Sequence, residues 1–358
     1  AGVNAGNSIE SGGNYNVVVG DEAGTAITTG DENTFIGYQS GDANTTARYN
    51  TAVGKAAFSA NTTGEANVAV GRHALLSNTT GASNTAVGKS AILANTTGDF
   101  NTAVGSGALD SNTTASNNTA VGFDALTDNT TGDENNAIGG GALANNTTGV
   151  DNDAQGYHAL FDNTTGDDNV AMGNRALATN TTGANNTAVG RSALLSSTTA
   201  SNNTAVGYSA LLSNTTGTSN VIVGFKAGEF ITTGDSNTHT GYLAGRGITG
   251  AKSTGDHNTT YGNSAGTNLQ GDATQNTLIG SLAGDAFTTG ERNVAIGFQA
   301  LTSDTKGNLS VAIGQHTLDA QNFTTATSTF NTAVGYAAGA AVTTGILNTL
   351  IGGLAGDA

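Results

Sequence analysis

An all-β chain wound as a parallel β-solenoid, or β-roll, of about twenty coils is the fold class that three features of this sequence predict. Glycines recur almost on a ruler, at Gly20, Gly37, Gly54, Gly71 and Gly88 and onward every seventeen residues to Gly241, then at Gly262, Gly280, Gly297, Gly314, Gly335 and Gly352. A short β-branched run precedes each of them in phase, as in Asn84-Thr85-Ala86-Val87-Gly88. Proline, which would interrupt a ladder of paired strands, is absent from all 358 residues. A seventeen-residue unit is too short to bury a core alone and becomes stable by stacking on its neighbours. The expectation is one continuous repeat domain over residues 1–358: Ala-Gly-type coils in 1–53, regular Ala-Leu-type coils in 54–223, and mixed coils with insertions in 224–358. At roughly 4.8 Å per coil it predicts a rod on the order of 95 Å long.

With each glycine as position zero, the four residues before it read Asn, Thr or Val, Ala, Val or Ile. Bounded by turn residues, they read as a strand. Alternation places positions minus three and minus one on one face and the small residue at minus two on the other. Neither face carries charge, so both are expected to be buried, one lining the lumen and the thin Ala face open to close approach by another chain. Asn stands at minus four in nineteen of twenty coils, with Ser310 the substitution. Asn67, Asn84, Asn101, Asn118, Asn186 and Asn203 represent this row, whose amides are expected to hydrogen-bond from coil to coil as a structural ladder.

Beyond the glycine come two kinds of corner. The regular coils carry Ala at plus three, Leu, Ile or Phe at plus four and a polar residue at plus seven, as in Ala159-Leu160 with Asn163. In the other class plus four is Gly and plus seven is apolar: Ala23-Gly24 with Ile27, Ala227-Gly228 with Ile231, Ala244-Gly245 with Ile248, Ala283-Gly284 with Phe287. The pattern predicts that each coil fills one lumen corner once, by a hydrophobe that moves between the two positions. Gly41 with Asn44 breaks this rule.

Thr-Thr-Gly at plus eight to plus ten, followed by polar residues, reads as an outward turn. Extra residues enter after Gly241, Gly262 and Gly314. The two larger insertions, around Arg246, Lys252 and His257 and around His316 and Phe323, are the expected recognition loops. The position after each glycine collects much of the aromatic and cationic content. Of these residues Tyr157, Tyr208, Phe225 and Tyr242 are the candidate subunit interface, facing acidic corner residues such as Asp133, Glu134, Asp167 and Asp168.

A net charge of −16 with eleven dispersed Lys and Arg argues against a nucleic-acid partner. No cysteine is present for disulfides or thiolate metal sites, and no apolar run approaches the roughly twenty residues that span a bilayer. A start at Ala1 without a signal peptide, and coils that run to both ends without caps, lead to the expectation of a processed or excised segment.

Ser310-Val311-Ala312-Ile313-Gly314 and the many Asn-Thr-Ala-Val-Gly variants, followed by Ser-Ala as in Gly207-Tyr208-Ser209-Ala210, resemble the head repeats of YadA-like trimeric autotransporter adhesins. Similar repeats occur in phage tail-fibre proteins. The resemblance covers essentially the whole chain and implies a parallel β-roll in which three chains pack side by side, their Val and Ile strands nearest a common axis. The period of seventeen exceeds the fourteen or so of those heads, and no stalk, neck or anchor motif is present.

Enzymatic chemistry finds no foothold. Lys89-Ser90 imitates the end of a phosphate-binding loop, but Ser83 stands where its first glycine is required. His73, His158, His239, His257 and His316 lack zinc-ligand spacing, and no nucleophile is paired with a base. No metal or cofactor is expected. The Asn-Thr-Thr triplets match the N-glycosylation pattern, which the periodic turn also explains. The leading functional expectation is a non-enzymatic structural or adhesive fibre segment outside a cell or on a virion, a homotrimer that presents loops to a host or matrix ligand. A filament stacked end to end and an ice-binding solenoid with ordered Thr rows are the alternatives.

Overall fold

The computed structural model describes residues 2–251 and 253–357. They form a parallel β-solenoid of about twenty turns, repeating near every 17 residues, with no helix among the described residues. The chain divides into two compact units, Ala1–Arg175 and Ala176–Ala358. In the first, three-residue strands from Val17–Val19 and Thr34–Ile36 to Val170–Met172 each pair in parallel with the next turn, Val17 opposite Thr34 and Asp153 opposite Val170. In the second, the strands from Thr187–Val189 to Thr349–Ile351 do the same. The insertions leave this register intact: Thr238 pairs with Thr259, and Val311 with Thr332, so the extra residues are taken up outside the three-residue strands. Within the last insertion Thr327–Ser328 adds a small parallel pair with Gly307–Asn308.

Turn geometry explains why the strands stop at three residues. The glycine at position zero has φ near +140°, and a Cβ on Gly54 would lie 2.5 Å from the carbonyl oxygen of Gly71 in the next turn. Only Gly permits both this conformation and this approach. The chain also turns left-handed at minus five, plus two and plus four, the last including non-Gly residues such as Leu126 (φ 54°) and Leu160 (φ 50°). A left-handed Leu costs about 1–2 kcal/mol, which burial of its side chain, about 1.5–3 kcal/mol, offsets. Leu160 and its counterparts Leu75 and Leu126 are fully buried.

The strand faces are the reverse of the expectation. Position minus two points inward, with Ala52, Ala86 and Ala154 all 0 % exposed, while minus three and minus one face out. The Ala face is therefore closed to any partner, because the Leu at plus four fills the lumen and leaves room only for a methyl group. Where plus four is Gly the residue at minus two is large: Val18, Phe35, Ile222, His239, Thr260, Leu278 and Leu350. A Cβ on Gly41 would fall 2.6 Å from the Phe35 ring, which accounts for that turn without an apolar residue at plus seven. At Gly245 the occupant is the His239 ring, 2.5 Å from the same point, and Ile248 is only half-buried, so Ile248 is not the filler that the pattern suggested. Ile27, Ile231 and Phe287 do reach the corner, lying 2.8, 3.1 and 2.6 Å from the Cβ positions of Gly24, Gly228 and Gly284. Ala333 with Gly339 is small at both places, and Leu318 and Leu350 from the adjacent turns close the gap.

Candidate functional site

The outward rows at minus three and minus one form a face with almost no charge on each unit. In the first unit it runs from Val17 and Val19 to Val170 and Met172, with Asp153 as its one charged residue. The second unit carries no charge in either row. Val19, Ile36, Val104, Ile138, Ile313 and Ile351 are exposed, and most of the remaining rows are partly so. Asp153 accepts hydrogen bonds from Asn136 Nδ2 at 3.1 Å and Gln155 Nε2 at 3.2 Å, a single polar spot in a band of Thr, Val and Ile.

Beside this face run buried polar ladders. Asn84, Asn101 and Asn118 each donate their backbone N–H to the preceding Asn side chain, to Asn67, Asn84 and Asn101 at 2.9, 2.9 and 3.1 Å. Asn203 does the same to Asn186 at 3.1 Å. The side-chain Nδ2 closes the turn, as when Asn84 donates to the Gly98 carbonyl at 2.8 Å. The minus-four row is thus structural. A second ladder, not anticipated beyond its polarity, runs at plus seven: Asn61, Asn78 and Asn95 donate to Asn44, Asn61 and Asn78 at 2.9, 3.1 and 2.7 Å. These are the Asn of the Asn-Thr-Thr triplets and are 0 % exposed, which withholds them from glycosylation in the folded chain. Next to them the plus-eight Thr hydroxyls donate to the following turn, Thr79 to the Thr96 carbonyl at 2.9 Å.

Ser310 interrupts the first ladder, and a neighbouring residue compensates. Buried Gln321 donates to Ser310 Oγ at 2.9 Å and to Asp304 Oδ2 at 2.6 Å, and its Oε1 accepts from Asn331 at 2.8 Å. Asp304 is itself fully buried, accepting the backbone N–H groups of Gly307 and Phe323 at 2.9 and 3.1 Å.

Of the candidate interface residues, Tyr208, Phe225 and Tyr242 stack on successive turns at 5.3 and 5.4 Å between ring centroids, all three exposed. Tyr157, also exposed, stands outside that stack in the first unit and stacks on His158 at 3.9 Å. The candidate recognition residues do not form one site. Arg246 is held by Glu229 at 2.6 Å and lies over the Phe230 ring at 5.1 Å. Lys252 lies outside the described residues. His257 is exposed at the left-handed minus-five corner that every turn repeats, and its N–H donates to the Asp235 carbonyl. His316 occupies the recurrent plus-two corner, 3.2 Å from Asp319 and edge-on to Phe298. Phe323 is buried at 8 % exposure, tied on both sides to the Asp304 turn, and presents nothing to a ligand. What the last insertion exposes is Asn322, Thr324, Thr325, Ala326, Ser328 and Phe330.

Among the described residues no three His, Asp or Glu side chains are placed to hold a metal ion, and no helix is long and apolar enough to cross a membrane. No protein-family model matches the chain, and a search of curated proteins finds no match.

Proposed function

We propose that this chain is a non-enzymatic structural segment of an extracellular or virion-surface fibre, in which copies of the chain associate through their uncharged strand faces. The observation that supports this reading is the strand face itself: twenty outward positions in the second unit without one charge, in a chain of net charge −16. Ten strands about 4.8 Å apart and about 10 Å wide give a band of several hundred Å² per unit, a size that marks interaction surfaces on soluble proteins. Three chains about a common axis is the arrangement that the adhesin-head resemblance implies. The stacked Tyr208, Phe225 and Tyr242 extend the surface around the next corner and are suited to its rim.

A second reading, ice binding, draws on the minus-three Thr residues repeated in register along the same sheet. The plus-eight Thr row gives it no support, because those hydroxyls are engaged with carbonyl groups. Sedimentation equilibrium of the full chain decides between the two. Association is expected, and the triple variant Val87→Lys, Val104→Lys, Val121→Lys, whose side chains all point outward, should be monomeric. A wild-type chain that stays monomeric and shows thermal hysteresis of freezing would favour ice binding. Assembly unchanged in the triple variant would reject this interface.

A further inference from the structure

Each turn borders its strand face with minus five on one side and plus one on the other, and in the first unit both borders carry a block of charge. At plus one, Lys55, Arg72 and Lys89 follow one another on three successive turns, all exposed. At minus five, Glu134, Asp151 and Asp168 do the same, five turns further along. Backbone hydrogen bonds hold both rows at the turn spacing of about 4.8 Å. The His73 and Ser90 N–H groups donate to the Lys55 and Arg72 carbonyls at 3.1 and 2.9 Å, and the Asp151 and Asp168 N–H groups to the Asp133 and Val150 carbonyls at 3.3 and 3.1 Å. Neither block has a counter-ion beside it. Residues 50–61, 67–78 and 84–95 hold no Asp or Glu, residues 129–140, 146–157 and 163–174 hold no Lys or Arg, and none of the six side chains enters a salt bridge among the described residues.

We propose that these blocks meet between copies of the chain, Lys55, Arg72 and Lys89 of one copy on Glu134, Asp151 and Asp168 of the next, and set neighbouring copies parallel with a displacement of five turns, about 24 Å. The inference rests on the reading that copies lie side by side, and adds their register. The strand face cannot supply that register, because Thr, Val and Ile recur in the same outward rows and a slide by one turn buries almost the same surface. Charge removes the degeneracy: exposed ion pairs contribute little affinity singly but discriminate between alignments. A five-turn displacement pairs all three cations with all three acids. Four turns pair only Arg72 with Glu134 and Lys89 with Asp151, and in register Lys55, Arg72 and Lys89 face Tyr49, Ala66 and Ser83. Copies turned end for end set plus one against plus one and minus five against minus five, where each block finds no block of opposite sign.

Both blocks bear the repulsion of their own charge. Partial burial, and then Arg72, Lys55 and Lys89, hold the His73 imidazole beside them below its ordinary range. On the other border a side-chain hydrogen bond with Asp151, and then the Asp151 charge, hold the Glu134 carboxyl above its own. Setting one block against the other relieves both. A displacement that repeats from copy to copy does not close on itself, so it builds an open fibre in place of the in-register ring that the adhesin-head resemblance implies.

Zero-length carbodiimide cross-linking of the full chain tests the register, with isotopically labelled and unlabelled protein mixed so that mass spectrometry identifies links between copies. Links from Lys55 to Glu134 and from Lys89 to Asp168 are expected at low ionic strength, fading as salt is added. Links from Lys55 to Glu65 and from Lys89 to Asp99, which an in-register neighbour would give, overturn the displacement and leave side-by-side association standing. A chain that sediments as a monomer at low salt ends both. Charge reversal gives the second arm, and Asp21 and Arg292 show that plus one accepts an acid and minus five a base. One variant carries Lys55→Glu, Arg72→Glu and Lys89→Glu, the other Glu134→Lys, Asp151→Lys and Asp168→Lys. Each alone should associate at least about tenfold more weakly than wild type, and an equimolar mixture should recover the wild-type affinity. A mixture as weak as its parts would overturn the proposal.

Discussion

The regular turns of residues 54–223 and the turns with Gly at plus four enclose similar lumens with opposite residues. The first pair Ala at minus two with a left-handed Leu, Ile or Phe at plus four, as in Ala154 with Leu160. The second pair a large residue at minus two with Gly at plus four, as in Phe35 with Gly41, and several add an apolar residue at plus seven. Each solution has its own cost. The Leu turns hold a left-handed branched residue but keep plus seven free for the Asn ladder. The Gly turns relieve the backbone, yet Ile231 or Phe287 at plus seven removes a ladder amide. The end of the ladder is visible at Asn214, whose Oδ1 has no partner among the described residues because the next turn offers Ile231.

The comparison breaks first where only one residue fills the corner. In the Phe35 turn plus four is Gly and plus seven is Asn44, so Phe35→Ala has no neighbour to close the cavity and should cost about 3–5 kcal/mol. Chemical denaturation with hydrogen exchange of the Gly37 and Gly41 amides would measure it; a loss below about 1 kcal/mol would mean that the lumen collapses freely.

His239 places a fully buried titrating group in the lumen of a Gly-class turn. Burial pushes its pKa down to about 4 from 6.5, against an opposing hydrogen bond to the Thr238 backbone, and its Nδ1 lies 2.9 Å from Thr260 Oγ1. The folded state therefore holds the neutral ring. Stability should be complete above pH 6.5 and fall as pH drops toward about 4, a loss on the order of 3 kcal/mol. His239→Leu, which copies Leu278, should remove that part of the pH profile, so that the difference between wild type and variant grows only inside this window. A constant difference would show that the imidazole titrates as in solvent.

A smaller effect is expected at Ser197, which replaces Asn at plus seven and leaves its buried Oγ without a partner among the described residues. Ser197→Asn should restore the ladder rung below Asn214 and stabilise by about 1 kcal/mol, read as a raised denaturation midpoint.

Much of this architecture was legible in the sequence. The period, the strand before each Gly, the minus-four Asn ladder and, in the turns of Ile27, Ile231 and Phe287, the movement of a hydrophobe from plus four to plus seven all follow from residue types recurring in phase, whereas the larger exchange with minus two was not read. The inward turn of the minus-two row was not legible, because Ala and Val are both compatible with either face and nothing in the strand alone says which is smaller inside. The left-handed Leu residues were hidden for another reason: a branched side chain at positive φ contradicts local preference, and only its burial explains it. Gln321 at plus seven and Ser310 at minus four stand in phase, but residue type alone does not show that the longer amide bridges the two ladders. Among the candidate sites, the Asn residues were readable because they repeat. Phe323 is not the exposed recognition residue its insertion suggests, because the insertion folds back onto Asp304.

The exchange of volume between minus two and plus four is tested most directly in the turn at Gly156. Asn163→Ile, the rescue that the plus-seven pattern suggests, would remove the amide that donates to Asn146 at 2.8 Å, so the cleaner partner is Ala154. Leu160→Gly should cost about 2–5 kcal/mol for the cavity, less about 1 kcal/mol for the relieved left-handed backbone, and Ala154→Phe about 1–3 kcal/mol for overpacking. The double variant rebuilds the Phe35–Gly41 arrangement. A double-mutant cycle by chemical denaturation should therefore find it within about 1 kcal/mol of wild type, with a favourable coupling of roughly 2 kcal/mol or more; losses that simply add would contradict the account.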